Sequence, residues 1–392
     1  DTAADCEDRC DQIEREMRDP KAAERFALKQ SQAFVDQMEG FALELEDELM
    51  NFSDVSYKSF VKSESEIITL FYDKFADIPL LSRMDAVAET FIDEIETLLN
   101  RDLPEKERIP LIEKFRKMYE TMDFYVLYNR FLKKEGYQTL PRRPLEKRKL
   151  RYEDVYPVLY LKYRLSRQAE RSNIKHLVID EMQDYSRLQY LIIRRMFSCK
   201  MTILGDRAQT MADQQQDVLQ FLPGIFGKDL RRIEMRKSYR NTVEIASYAA
   251  NLIGVTDPEL FERHGMPVLE RDVTDLEAAL REAVDTLFPE EKTYETAAVI
   301  VPDEKTAERA YLILREILAE KDFDCEKRLS WLNRDSSSFK KGLTVTTFYL
   351  AKGLEFDQVF SIFPKDEKRE MMMQAQYIAA TRALHELRVY HI

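Results

Sequence analysis

Leu177-Val-Ile-Asp-Glu-Met-Gln-Asp184 is the stretch on which the fold reading turns. A short apolar run beginning at His176 ends abruptly in two adjacent carboxylates, Asp180 and Glu181. In a parallel α/β sheet the carboxyl ends of strands are where ligands bind. An Asp-Glu pair there suits a nucleotide-bound Mg2+, which Asp180 would hold, directly or through water, while Glu181 would orient and deprotonate the attacking water; an acidic turn after a buried strand is the plain alternative.

The pattern recurs downstream. Thr202-Ile-Leu-Gly-Asp-Arg-Ala-Gln209 is a second strand that ends in Gly205-Asp206, with Gln209 three residues on, where a glutamine can sense a terminal phosphate without adding charge. Lys237-Ser-Tyr-Arg-Asn241 precedes a helix, residues 344–357 read Thr-Val-Thr-Thr-Phe-Tyr-Leu-Ala-Lys-Gly-Leu-Glu-Phe-Asp, and Tyr377-Ile-Ala-Ala-Thr-Arg-Ala383 stands near the chain end. Apolar runs at 176–179, 201–204, 230–235, 297–301, 343–347, 359–363 and 387–392 read as strands, and amphipathic stretches at 188–197, 243–253, 304–318 and 371–383 as helices. That alternation indicates parallel sheets with helices on both faces. Before residue 135 the texture is helical, with periodic blocks at 23–49, 67–75, 84–99 and 109–132 punctuated by Pro79, Pro104 and Pro110. Between the two regions lies a basic, proline-containing stretch: Pro141, Arg142, Arg143, Pro144, Lys147, Arg148, Lys149 and Arg151.

Composition sets outer bounds. With 392 residues, 44% hydrophobic and 34% charged, the chain holds two or three domains and a sizeable core. No apolar run approaches the ~20 residues of a membrane span, and no secretory signal is present, so a cytoplasmic protein is expected. The net charge of −12 does not advertise nucleic-acid binding, which would need a local basic groove. Cys6, Cys10, Cys199 and Cys325 read as reduced thiols.

The five elements, in this order, resemble the UvrD/Rep-type superfamily 1 helicases. Within them the chain looks most like the DNA helicase IV group, which includes RNA polymerase-recycling motor ATPases. The resemblance is strong from about Lys147 onward and looser in the helical part, which looks like that group's insertion. Asp180 to Asp184 matches the Walker B element, Gly205 to Gln209 the third motif, Ser238 to Asn241 the fourth, Thr347 to Asp357 the fifth and Tyr377 to Ala383 the sixth.

The resemblance implies an α/β fold of RecA-like (P-loop NTPase) lobes: a helical region at 1–145, a partial first lobe at 146–234 and a second lobe at 235–392. It implies ATP and Mg2+ as ligands. It places Tyr239 on the adenine, Arg240 and Arg382 at the γ-phosphate as arginine fingers, and Glu355 and Gly353 near the nucleotide. Thr347, Tyr349 and Lys352 would couple the nucleotide to the track. The bland counterparts are a core tyrosine for Tyr239 and surface ion pairs for the arginines. The implied activity is that of an ATP-dependent DNA helicase or translocase, acting on single-stranded or duplex DNA as a monomer. A polymerase-remodelling ATPase and a non-hydrolysing binding module stand as alternatives.

Two departures qualify this. None of the nine glycines begins a Gly-x-x-x-x-Gly-Lys-Ser/Thr loop, whose backbone N–H groups cradle phosphates. The chain also begins at Asp1, so it reads as a fragment that starts inside the first lobe, with an incomplete sheet and little or no ATPase activity of its own. Secondly, Ala212 and Gln214 stand where base-stacking aromatics are expected after the third motif, and Tyr349 where the fifth often has histidine.

Overall fold

The computed structural model describes residues 5–167, 173–206, 209, 218–235, 238–255, 259–290, 293–321, 324–336, 341–365 and 370–392. Lys237 and the segment carrying Ala212 and Gln214 lie outside them. The chain divides into two compact units: Asp1–Asp180 with Tyr185–Leu204 and Val218–Lys228, and Glu181–Asp184 with Gly205–Asp217 and Asp229–Ile392.

The first unit opens with β1 (Asp5–Cys6), α1 (Arg9–Arg18), α2 (Pro20–Gln30) and α3 (Gln32–Glu48). Then follow a hairpin of β2 (Val55–Tyr57) and β3 (Phe60–Lys62), α4 (Glu64–Thr69), α5 (Leu80–Leu99), α6 (Glu105–Arg116), α7 (Phe124–Lys134), β4 (Lys149–Leu150) and α8 (Tyr152–Leu165). Helix α5 shows why the region is a bundle. Its buried Leu80, Leu81, Met84, Val87, Ala88, Phe91, Ile92 and Ile95 recur every three or four residues, forming one apolar stripe. That stripe joins Phe34, Met38, Phe71, Phe115, Phe131 and Leu161 in a single core.

Pro110 does not separate helices here. It lies within α6, and Pro157 within α8, each at the sixth helical position. A proline removes one intrahelical bond, but buried Leu111 and Phe115 in α6, and Val158, Leu161 and Leu165 in α8, hold both helices to the core.

The same unit carries a two-stranded parallel pair, β5 (His176–Ile179) and β6 (Lys200–Ile203), in the register Ile179↔Ile203. Helices α9 (Arg187–Met196) and α10 (Val218–Phe226) pack with it around Ile179, Tyr190, Phe221 and Leu222. Ser186 and Gln189 form a reciprocal capping box that starts α9. Parallel strands are normally covered on both faces. Here Val178 is 60% and the residue after β6, Leu204, 48% exposed, so one face of the pair is bare.

The second unit contains α11 (Val243–Leu252), β7 (Leu269–Asp272), α12 (Leu276–Asp285), β8 (Thr296–Val301), α13 (Glu304–Ala319), α14 (Cys325–Arg328), β9 (Leu329–Trp331), β10 (Gly342–Thr347), β11 (Phe356–Phe363), α15 (Glu370–Thr381) and β12 (Ala383–His391). The strands form a six-stranded sheet in the order β7-β12-β11-β8-β10-β9, and every pairing is parallel. The central runs Thr-Ala-Ala-Val-Ile-Val and Gly-Leu-Thr-Val-Thr-Thr are buried almost throughout, as strands covered on both faces must be. Ala297, Val299 and Val301 face the core built with α12 and α13, while α11 and α15 pack on each other and on β12. This is the mixed α/β class with parallel sheets that the alternation predicts.

Residues 230–235 are not a strand. Their alternation of apolar and charged side chains suits one, but a strand needs a ladder partner. None pairs with them among the described residues, and Ile233 and Met235 are 83% and 91% exposed.

Gly342 opens β10 at φ +119° and donates its N–H to the Glu295 carbonyl. A methyl group there would lie 2.8 Å from the Arg328 C and Cα atoms and closer still to its carbonyl oxygen. Left-handed strain and a backbone clash add, so Gly342→Ala should cost about 3 kcal/mol or more. A shift of the denaturant midpoint at unchanged slope checks this.

Candidate functional site

The signature residues of the second unit converge on one polar network. Arg382 ends the turn between α15 and β12 and is 1% exposed. Its Nη2 donates to Gln209 Oε1 at 3.0 Å and to Thr381 Oγ1 at 3.2 Å, and its Nη1 to the Leu354 carbonyl at 3.4 Å. Gln209, itself buried, donates through Nε2 to Asp206 Oδ2 at 3.0 Å. Asp206 also accepts from the Tyr377 hydroxyl at 3.3 Å. The Asp206 N–H donates to Gln183 Oε1 at 3.1 Å, and Gln183 Nε2 to Glu181 Oε2 at 2.6 Å. Arg382, Gln209, Asp206, Gln183 and Glu181 are thus joined in one chain of hydrogen bonds.

The electrostatics of this chain are unusual at its cationic end. Among the described residues, all of the acceptors that Arg382 meets are neutral and its Nε has no partner. Among the described residues no carboxylate lies within ion-pair distance of it. Burial pulls the Arg382 guanidinium below its ordinary value and the like charge of Arg240 adds to this, while Glu181 and Glu355 oppose it. Burial, then the charge of Asp206, pushes the Tyr377 phenol well above its usual range. A buried cation without a counter-ion is costly, so this arrangement favours an anion.

The backbone that carries Arg382 is clamped. Asn241 Nδ2 donates to the carbonyls on either side of it, Thr381 at 3.2 Å and Ala383 at 2.6 Å. Arg263 Nη2 donates to the Leu384 carbonyl at 3.1 Å and also to the Arg240 carbonyl. Asn241 and Arg263 therefore hold the two arginine-bearing loops together. Sequence reasoning quoted Asn241 only as part of a motif and passed over Arg263, because a side chain that holds a distant backbone leaves no local pattern.

The other predicted residues are placed as follows. Asp180 is exposed at the end of β5. Glu181 adopts φ +51°, a left-handed conformation rare for a residue with a side chain. Tyr239 is 62% exposed, with its ring 5.5 Å from that of Phe261, so it is no core tyrosine. Arg240 pairs with Glu355 at 2.7 Å, both about half exposed, so the ion-pair reading describes Arg240 but not Arg382. Lys352 is bound to Asp184. Gly353 is exposed in the same loop. Thr347 and Tyr349 are buried, Tyr349 edge-on to Phe348, so their side chains shape the loop from beneath rather than present themselves to a ligand.

The UvrD/REP helicase N-terminal domain family matches residues 10–211, just over half of the chain. The chain belongs to the UvrD/REP helicase family. No curated protein matches it. Among solved structures, this UvrD/REP-family chain is similar to the C-terminal domain of a possible DNA helicase from Lactobacillus plantarun WCFS1, at 24% identity and a TM-score of 0.31, covering 40% of this chain and 88% of that one. It is also similar to the PRRSV helicase, at 14% identity and a TM-score of 0.31, covering 68% of this chain and 45% of that one. A third is an arterivirus nonstructural protein 10 helicase with DNA, at 14% identity and a TM-score of 0.30, covering 68% and 51%. The chain spans about half the length of these viral helicases. No helix among the described residues is long and apolar enough to cross a membrane.

Proposed function

We propose that the chain forms part of an ATP-dependent DNA helicase or translocase motor of the helicase IV type, with RecA-like lobes at 146–234 and 235–392 and a helical insertion at 1–145. The observation that carries this is Arg382, buried beside Arg240 and, among the described residues, with no carboxylate within ion-pair distance. A triphosphate would supply the negative charge that Arg382 lacks.

The side chains fit that ligand. Arg382, held by Asn241, and Arg240 would bind the terminal phosphate and stabilise charge as it develops there. Arg240 would exchange Glu355 for phosphate, freeing that carboxylate for the ribose. The exposed Tyr239 face would stack on the adenine. Glu181 would orient the attacking water and take its proton. Its left-handed backbone is the kind of local strain that persists at functional sites. Gln209 would relay the state of the phosphate end to Asp206 and Gln183. Among the described residues no three His, Cys, Asp or Glu side chains form a metal cluster. A single carboxylate such as Asp180 suffices for Mg2+ that is held mainly by phosphates and water, and such an ion would supply charge neutralisation. Lys352, with Thr347 and Tyr349 packed around its loop, would pass changes at the site to a nucleic-acid track. The protein would act in the cytoplasm as a monomer.

No Gly-x-x-x-x-Gly-Lys-Ser/Thr run occurs in this sequence, so the chain alone should turn ATP over at buffer background. Steady hydrolysis abolished by Glu181→Gln would overturn that expectation. In a protein that joins this sequence to such a loop, single-stranded DNA should stimulate turnover, and Glu181→Gln should lower it by about a hundredfold or more. Turnover indifferent to DNA but raised by RNA polymerase would replace the helicase with a remodelling ATPase. Absence of turnover under all conditions would leave a binding module.

A further inference from the structure

The basic stretch at 141–151 has no part in the site above. It holds six cations and one acid, Glu146, in a chain whose net charge is −12. Its backbone is pinned at successive points. Asn129 Oδ1 accepts the Leu140 N–H at 2.7 Å, and the Tyr125 hydroxyl donates to the Pro141 carbonyl at 2.7 Å. Arg148 turns inward to Asp123 at 2.7 Å, with its guanidinium 4.6 Å over the Tyr125 ring. Leu150 is buried, and β4 pairs in parallel with β1.

The outward side chains are treated differently. Lys147, Lys149 and Arg151 alternate with the inward Arg148 and Leu150, and Arg142 and Arg143 are exposed as well. Among the described residues Arg142, Arg143, Lys147 and Arg151 form no ion pair, and Lys149 reaches Asp5 at 4.0 Å. Elsewhere in the same unit Arg108, Arg116 and Arg164 are each bound to carboxylates.

We propose that residues 141–151 form a fixed cationic rail that binds the sugar-phosphate backbone of single-stranded nucleic acid, outside the helicase motifs. The proposal rests on the nucleic-acid part of the function above, but not on its ATP site. After a 3-10 turn at Leu145–Lys147 the backbone is extended, so Lys147, Lys149 and Arg151 advance ~7 Å from one to the next, a step comparable with the phosphate repeat of a stretched single strand, while Arg142 and Arg143 add charge ahead of the turn. The outward side chains include no aromatic group to stack on a base, so the contact positions the strand without reading sequence. A charged patch on an acidic protein partner would not require that regular step.

The test uses nucleotide-free chain and a labelled twenty-nucleotide oligothymidine, followed by fluorescence anisotropy across a salt series. Replacing Arg142, Arg143, Lys147 and Arg151 together by glutamine should weaken binding about tenfold or more. It should also reduce the slope of log K against log salt by about 3, since each single-strand phosphate contact contributes about 0.7. All-lysine replacement at Arg142, Arg143 and Arg151 should keep the slope, which separates charge loss from misfolding. A mixed-sequence oligonucleotide should bind equally well. An unchanged slope in the glutamine variant, or no binding by the wild type, overturns the rail. Displacement by polyglutamate as effective as by unlabelled oligothymidine overturns it in favour of an acidic protein. Failure to bind ATP would leave this result untouched.

Discussion

Arg382→Met is expected to make the protein more stable and less able to bind nucleotide. Methionine fills a similar volume, and a charge that burial and Arg240 both disfavour disappears. Three hydrogen bonds to neutral acceptors are lost in exchange. The desolvation of an ion costs several kcal/mol, and replacing buried charge with apolar groups is often stabilising, so a gain of ~1–2 kcal/mol is expected. Removing one partner of a buried charge-assisted contact costs a bound anion ~2–5 kcal/mol, which is at least about thirtyfold in affinity. Arg382→Lys should restore neither property fully, because a point charge cannot reproduce the guanidinium fork. A structural arginine would behave in the opposite way: stability would fall and nucleotide affinity would stay.

Gly205→Ala should disrupt both the fold and the site. Its new methyl group would lie 2.6 Å from the Met182 backbone nitrogen, 2.5 Å from Met182 Cγ and closer still to Gln183 Oε1. The oxygen it displaces is the one that accepts the Asp206 N–H. Because one of the clashing atoms is backbone, the turn after β5 has to move, and a cost of ~2–4 kcal/mol follows. The Glu181–Gln183–Asp206 link would part at the same time. Gln183→Ala removes the same link without the clash and should cost ~1–2 kcal/mol. Paired denaturant titrations distinguish the two; equal midpoints for both variants would show that Gly205 is not tightly enclosed.

The parallel sheet was legible because its central strands are uninterrupted apolar runs: 176–179 is a strand at those very residues, and Thr296–Val301 differs by one. Elements whose stability comes from distant packing were not legible. Helix α8 contains Pro157 and follows a basic stretch, so the sequence pattern predicts no element there although its buried face belongs to the bundle core. Helix α10 contains Pro223 and Gly224, and the edge strands β7 and β9 are too short or too charged to stand out. The false strand at 230–235 has the right alternation and no partner. Much the same held at the site. The motif residues could be listed from the resemblance, but the lack, among the described residues, of a carboxylate within ion-pair distance of Arg382 and the Asn241 clamp on its neighbours are three-dimensional facts.

On the proposed function, the buried arginine at the end of α15 is there for a nucleotide's phosphates. Its most direct test is a titration of the chain with a fluorescent ATP analogue and Mg2+, comparing wild type with Arg382→Met. Saturable binding by the wild type that weakens at least about thirtyfold in the variant is the predicted result. Equal affinity in the two proteins, or no binding by either, would contradict it.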